Sequence, residues 1–525
     1  MLINIYGAKC IGIDAVPVTV EVDINHGIGI HLVGLADAAV RESLLRIMTA
    51  LQSLGLRIPG KKIVINLAPA DMHKNGSGYD LPIALGIIAA SGQCNLPRLD
   101  RYIVMGELGL DASLRDVPGA LPIAELAERQ GFDGCILPKG SALEAVDYAK
   151  TKVYAAQTLA EVLEILSGTA DVSHLEVQRF RNLLTEEIPP CDYMDFSEII
   201  GQDAAKRGLE IAAAGGHNVL MIGSPGSGKS SLAKALAGIL PPMSLEEAIL
   251  TSKIYSVAGK GSSRYGITRR RPFRAPHYSA SLPAIVGGGN GDNILPGEVS
   301  LAQHGILFLD EFAQLPKSVS EALRGPLEDR KVTISRLRAR VVYPSSFMLV
   351  AATNPCPCGY YGEGERCTCS VGQRSAYLGR LSGPIMDRID VQLWMHPVDA
   401  RQLVAPPRAE TSAAVAERVL AARSIQRERF QGTGIFTNAE MSSRQMNDFC
   451  PLGQEGQDMM EKIIERLGLS ARAFSRVVKL ARTIADLQAC ADAKSTGGRP
   501  VPGPILPAHL AEAAGYRFLD RQHAF

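Results

Sequence analysis

The stretch HNVLMIGSPGSGKS, His217 to Ser230, decides how the middle of this chain folds. Its first half is a short apolar run with the composition of a buried strand, and its second half reads G-x-x-x-x-G-K-S. A helix is predicted from Ser231 to Leu240, where Pro241 and Pro242 stop it. Strand, glycine turn and helix in that order point backbone N–H groups and a helix N-terminus at an anion. Gly223, Gly226 and Gly228 permit the turn, and with Ser224, Pro225, Ser227, Lys229, Ser230 and Ser231 they form a predicted cradle for the phosphates of ATP. Lys229 is expected at the β and γ phosphates and the Ser230 hydroxyl on Mg²⁺. A glycine turn holding a chance lysine is the plain alternative, and the flanking elements argue against it.

Two further apolar runs end in polar residues suited to that site. Ile306 to Glu311 reads ILFLDE, so Asp310 is expected to hold Mg²⁺ and Glu311 to orient and activate the attacking water. Taken alone, such a run is a buried strand with an exposed end. A third strand, Phe347 to Thr353, ends at Asn354, whose amide is expected beside the same water; an Asn before Pro355 is also an ordinary turn.

These motifs belong to a longer series: FSEIIGQ (Phe196 to Gln202), the phosphate loop, LFLDE, ATNP (Ala352 to Pro355), MDRID (Met386 to Asp390) and LSARAFSR (Leu469 to Arg476). On them the segment from Phe196 to about Leu487 resembles the AAA+ ATPases, and within them the magnesium-chelatase-like branch. The resemblance implies a ring, a homo-hexamer, with ATP at subunit boundaries. It also implies that Arg388 is a finger reaching a neighbour's γ phosphate, with Arg380 a rival, and that Arg472 is a second sensor on the helical lid. By charge alone each is equally a surface arginine paired with acids such as Asp387 or Asp390. Nearly all 525 residues are similar to the bacterial ComM/YifB family. That similarity implies a hexameric DNA motor, a helicase driving branch migration on single-stranded or branched DNA in natural transformation and recombination. The alternative is an ATP-driven metal-insertion or protein-remodelling chaperone of the magnesium chelatase type, although nothing resembles the integrin-like domain of the chelatase partner.

The expected class is α/β in three units: 1–166, a linker 167–195, an ATPase core 196–398 with a cysteine loop 355–370, and a helical C-terminal unit 399–525. Residues 60–140 resemble the Lon-protease/ribosomal-S5 type of fold, through NGSGYDLPIALGIIAASG (Asn75 to Gly92) and the segment Met105 to Pro138. Active Lon-type domains pair a serine with a lysine. Ser77 matches the serine, but the lysine position falls near Pro122, so no peptidase activity is expected.

With a net charge of +1, the chain as a whole does not call for a polyanion, so any DNA surface must be local. Lys253, Lys260, Arg264, Arg269, Arg270, Arg271 and Arg274 form an acid-free segment interleaved with Tyr255, Tyr265 and Phe273. Arg330, Lys331, Arg336, Arg338 and Arg340 accompany an alternating pattern that predicts a β-hairpin. In related rings hairpins at these two places enter the pore, so both segments are candidate DNA grips by backbone tracking; solvated or ion-paired loops are the alternative. Cys356, Cys358, Cys367 and Cys369 suit tetrahedral, structural Zn²⁺, with reduced unmetallated thiols as the alternative. No signal peptide or membrane span is legible, which predicts a cytoplasmic protein.

Overall fold

The computed structural model describes residues 2–520 except 36, 147–149, 179–192, 262–266, 268, 290–292, 337–339, 382, 399–401, 403, 405–408 and 499, and only the backbone of 38 and 39. Arg264, Tyr265 and Arg338, three of the candidate DNA contacts, lie outside the described residues, as does the stretch 179–192 of the expected linker.

The N-terminal unit is a seven-stranded mixed sheet in the order Gly29–Val33, Lys62–Ala68, Asp14–Asn25, Leu2–Ile11, Tyr102–Val104, Gly134–Pro138, Lys152–Ala156. Helices Ala38–Ser53, Asp80–Ala90 and Ala120–Gln130 cover it. Asp80–Ala90 is apolar nearly all round and buried, as a helix closed into a core must be.

The central unit is a five-stranded sheet, parallel throughout, in the order Phe273–Arg274, Ile306–Leu309, Met348–Thr353, Val219–Gly223, Val391–Met395. Val219–Gly223, Ile306–Leu309 and Met348–Thr353 are unbroken buried runs, the pattern a sheet covered on both faces requires. Because Met348–Thr353 lies between the other two, Gly223, Asp310 and Asn354 emerge side by side at the sheet's C-terminal edge.

On one face, helices Asp203–Gly215 and Lys229–Ile239 share a single core with the C-terminal helices Ser412–Arg429, Ala471–Thr496 and Pro507–Gly515. The helical unit is thus fused to the sheet through continuous apolar packing. Its interior is pinned by buried Asp486, which accepts hydrogen bonds from Arg429, Arg482 and Asn438. The opposite face is covered by short helices, including Leu282–Val286 and Lys317–Ala322, and by a hairpin of the strands Lys331–Ser335 and Arg340–Pro344, in which Ser335 pairs with Arg340. The hairpin buries Val332, Ile334, Val341 and Tyr343 and turns Lys331, Thr333, Arg340 and Val342 outward, the two-residue period read from the sequence.

The N-terminal unit docks on the helix Leu245–Val257. Gly119 N–H donates to Ser256 O at 2.9 Å, Leu121 N–H to Ser256 Oγ at 3.3 Å, and Leu121 packs on Met243, Ala248 and Ile267. Lys253 pairs with Glu125 across the same contact. No helix among the described residues is long and apolar enough to cross a membrane.

Candidate active site

At the C-terminal edge of the central sheet the phosphate loop is already shaped. Gly226 and Gly228 have φ of +80° and +89°, a region that favours glycine. Lys229 Nζ donates to the carbonyl oxygens of Gly223 at 2.7 Å and Ser224 at 2.8 Å, and lies 3.5 Å from Asn354 Oδ1. Burial lowers the pKa of Lys229, and the nearby Asp310 carboxylate opposes that shift. Ser230 Oγ donates to Asp310 Oδ2 at 2.9 Å, and Asp310 Oδ1 accepts the Glu311 N–H at 2.8 Å. Glu311 has φ +49° and ψ +40°, a costly conformation for a residue with a side chain, of the kind that collects at functional sites.

This donor set fits a nucleoside triphosphate with Mg²⁺: a glycine cradle at a helix N-terminus, a lysine inside it, and two oxygen ligands one hydrogen bond apart. Gln202 is an addition the sequence reading did not make. Held at φ +61°, it donates to Ser227 O at 3.3 Å and His396 O at 2.6 Å, and so ties the FSEIIGQ segment to the loop.

Arg388 and Arg472 lie elsewhere, at the N-terminal edge of the same sheet. There Asn218, just before the phosphate-loop strand, donates to Arg388 O at 2.9 Å and accepts the Leu349 N–H at 2.8 Å. Arg388 is buried and paired with Glu328, Arg472 donates to Asp387 at 3.0 Å, and Arg476 donates to Asp390 at 3.0 Å. With Arg330 and Lys479 these groups line a cavity of about 310 Å³. Burial, reinforced by Arg476, pushes the Lys479 amine down to about 8. Burial would raise the Asp390 carboxyl, but Arg476, His217 and the Asn218 N–H outweigh it and hold the group below the ordinary carboxylate range. The sheet separates this cavity from the chain's own phosphate loop by the length of a strand, roughly 15 Å. Arg380 is placed over the Tyr377 ring, 6.0 Å from its centroid.

The two basic segments differ. Arg271 donates to the Glu247 carboxylate at 3.0 Å and to backbone carbonyls, Arg274 makes a two-pronged pair with Glu298 at 2.6 and 2.7 Å, and Arg269 donates to Met243 O at 2.9 Å. Arg270 is half-buried beside a cavity shared with Tyr193 and Phe273. The first segment therefore begins as the end of a helix, capped at Ser244 and Glu247, and its described arginines face inward. Lys331, Arg336 and Arg340 of the hairpin are exposed.

Cys356, Cys358, Cys367 and Cys369 bring their four sulfurs within 4.8 Å of one another, with individual separations of 3.3, 3.8 and 3.7 Å. Four thiolates 2.3 Å from one Zn²⁺ would stand about 3.8 Å apart, so the cluster has the dimensions of a zinc site. In the N-terminal unit, Ser77 Oγ donates to the Glu107 carboxylate, and Pro122 is buried in the helix Ala120–Gln130.

The family model described as magnesium chelatase, subunit ChlI, matches residues 195–403; the model for subunit ChlI of Mg-chelatase matches 20–141, and the ChlI C-terminal model matches 409–517. The chain is 41% identical over 527 residues to competence protein ComM of Haemophilus influenzae, covering 98% of this chain and 97% of that one. It is 40% identical over 520 residues to YifB of Salmonella typhimurium, with 98% and 97% covered. DNA replication licensing factor Mcm6 of Drosophila melanogaster is 25% identical over 287 residues, 52% of this chain and 30% of that protein.

Proposed function

The chain belongs to the magnesium-chelatase-like AAA+ family of ComM and YifB, and on that premise we propose that it is an ATP-driven homo-hexameric DNA motor that migrates branched DNA during competence and recombination. The observation that carries the ring is the position of its cations. Lys229 is at one edge of the sheet and Arg388 and Arg472 at the other, so one chain supplies two halves of an ATP site and only a neighbour completes either. A head-to-tail ring is the closed assembly that joins such halves.

In the composite site the cradle Gly223–Ser231 binds the phosphates, Lys229 exchanges its carbonyl partners for phosphate oxygens, and Ser230 and Asp310 hold Mg²⁺. When bound there, Mg²⁺ would supply positive charge to the phosphate oxygens. Glu311 takes the proton of the attacking water, Asn354 orients that water, and Arg388 and Arg472 of the adjacent copy offset charge on the γ phosphate. Zn²⁺ on the four cysteines is structural, because four protein thiolates leave no position for a substrate. Lys331, Arg336 and Arg340 on the exposed hairpin grip the DNA backbone, and the ion-paired Arg271 and Arg274 brace the segment beneath. The name of Mcm6, a DNA replication licensing factor, supports a DNA substrate, and that of the competence protein ComM supports a role in competence.

The test is the ATPase rate with and without single-stranded and forked DNA at two salt concentrations. A motor is stimulated by DNA, and less so at high salt. The chelatase descriptions favour a second reading, metal insertion or remodelling of a partner; a rate indifferent to every DNA, with porphyrin or protein binding instead, would decide for it.

A further inference from the structure

The four-cysteine loop does not simply follow Asn354; it lies over the phosphate loop. At Gly359, φ +87°, the backbone turns so closely against Pro225 that an added Cβ would stand 2.9 Å from Cδ and 3.0 Å from Cγ of that proline, and 3.8 Å from Cγ of Asn354. Pro225 is the middle of the phosphate loop. Farther along, Tyr361 meets Trp394 edge-on with ring centroids 6.2 Å apart, and a Cβ on Gly362 would lie 3.6 Å from Trp394. Trp394 is in register with Ile222, the residue that feeds Gly223. Arg374 closes the arrangement, with its guanidinium 4.3 Å above Tyr361 and an N–H donated to Cys369 O at 3.2 Å. The loop thus touches the phosphate loop, the strand beside it and the water-orienting Asn354.

Between Cys356 and Cys369 the chain forms no strand and only one short turn of helix, Gly364–Arg366. Besides the four sulfurs, its inward side chains are Tyr361 on Trp394 and Glu363, which pairs with Arg366 inside the loop. Thiols alone are weak donors and weak acceptors, so they hold such a loop loosely. In small segments of this kind, metal-binding free energy is folding free energy.

We propose that Zn²⁺ on Cys356, Cys358, Cys367 and Cys369 fixes this loop as a brace on Pro225 and Asn354, so that zinc and nucleotide bind with positive coupling. The proposal rests on the zinc reading of the cluster. Coupling of binding sites is reciprocal, so nucleotide must tighten zinc by the factor by which zinc tightens nucleotide.

The experiment uses the full-length protein. Metal analysis first gives the zinc content, expected at about one per chain for a single four-thiolate site. A chromophoric chelator then competes for the metal with and without Mg·ADP, and a fluorescent ADP analogue is titrated into loaded and stripped protein. Both affinities are expected to change by the same factor, about 10-fold. No zinc at all removes the zinc reading and the coupling with it. One zinc per chain, held equally with and without ADP, overturns the coupling alone. Because stripped protein can lose its fold locally, Gly359→Ala supplies a second arm with all four ligands present. It is expected to retain zinc yet bind the ADP analogue several-fold more weakly, within the usual range of such couplings; wild-type affinity in that variant would show that contact with Pro225 transmits nothing.

Discussion

The two edges of the central sheet hold their cations in different ways. At the C-terminal edge Lys229 rests on neutral carbonyl oxygens, which phosphate oxygens can replace without leaving a charge unpaired. At the N-terminal edge Arg388, Arg472 and Arg476 are each matched to a carboxylate around a cavity. The first arrangement can exchange its partners for a ligand directly; the second holds an arginine array in shape through ion pairs. In the proposed ring each edge is half a catalytic site, with the phosphate-binding half at the C-terminal edge.

The division of roles between the two edges is tested first by rate. Lys229→Ala and Arg388→Ala should each lower hydrolysis by about 10³-fold or more. The lysine variant should lose nucleotide binding while the arginine variant keeps it. Mixed in equal amounts, the two should regain activity at about a quarter of the interfaces, since a head-to-tail ring joins intact halves at random. A mixture as inactive as its components would place both residues in one chain's site, or make Arg380 the finger.

Next comes stability at the arginine edge. Asp390 is buried against Arg476, His217 and the Asn218 N–H, so Asp390→Asn leaves the part-buried Arg476 without its counter-charge and should cost about 3 kcal/mol in denaturant unfolding. Asp387→Asn removes only the exposed partner of Arg472 and should cost about 1 kcal/mol or less. Equal losses would mean that the cavity is not organised from its buried side.

Much of the C-terminal edge is legible in the sequence because its chemistry is local. Gly223–Ser231 is one turn, Asp310 and Glu311 are adjacent, and the hairpin's alternation fixes which residues face out. The rest depends on partners distant in sequence. Glu247 and Glu298 lie 24 residues from the arginines they bind, and Glu328 lies 60 residues from Arg388. An acid-free basic segment therefore reads as open although its arginines are engaged. Nor does any local pattern reveal that the C-terminal helices share the sheet's core, or that Gln202 reaches Ser227.

A pH experiment sharpens the same point for Arg271. Burial would raise the Glu247 carboxyl, but Arg271 outweighs it and holds the group below the ordinary carboxylate range. A lowered carboxyl contributes stability that is complete above its unfolded value, about 4.3, and is lost as the pH falls through the folded value. Arg271→Ala should cost about 2 kcal/mol near neutrality, and the gap between variant and wild-type melting should narrow as the pH falls below that unfolded value. A gap that stays constant down to acid pH would show that the pair contributes nothing to the stability of the fold.

The smallest effect separates the two basic segments. Arg336 is exposed on the hairpin and Arg271 is committed to Glu247. If Arg336 meets a phosphate of single-stranded DNA, Arg336→Ala should reduce the slope of log affinity against log salt by about 0.7, one released counterion's share. Arg271→Ala, measured where the protein remains folded, should leave that slope unchanged, because its charge is already neutralised within the chain. The contrast does not depend on how tightly either variant binds, since a slope counts contacts and an affinity also carries every indirect loss of structure. An equal reduction in both variants would mean that the inward arginines exchange their carboxylates for DNA, and that the ion pairs are a resting arrangement of the grip; a wild-type slope in both would take Arg336 out of the grip.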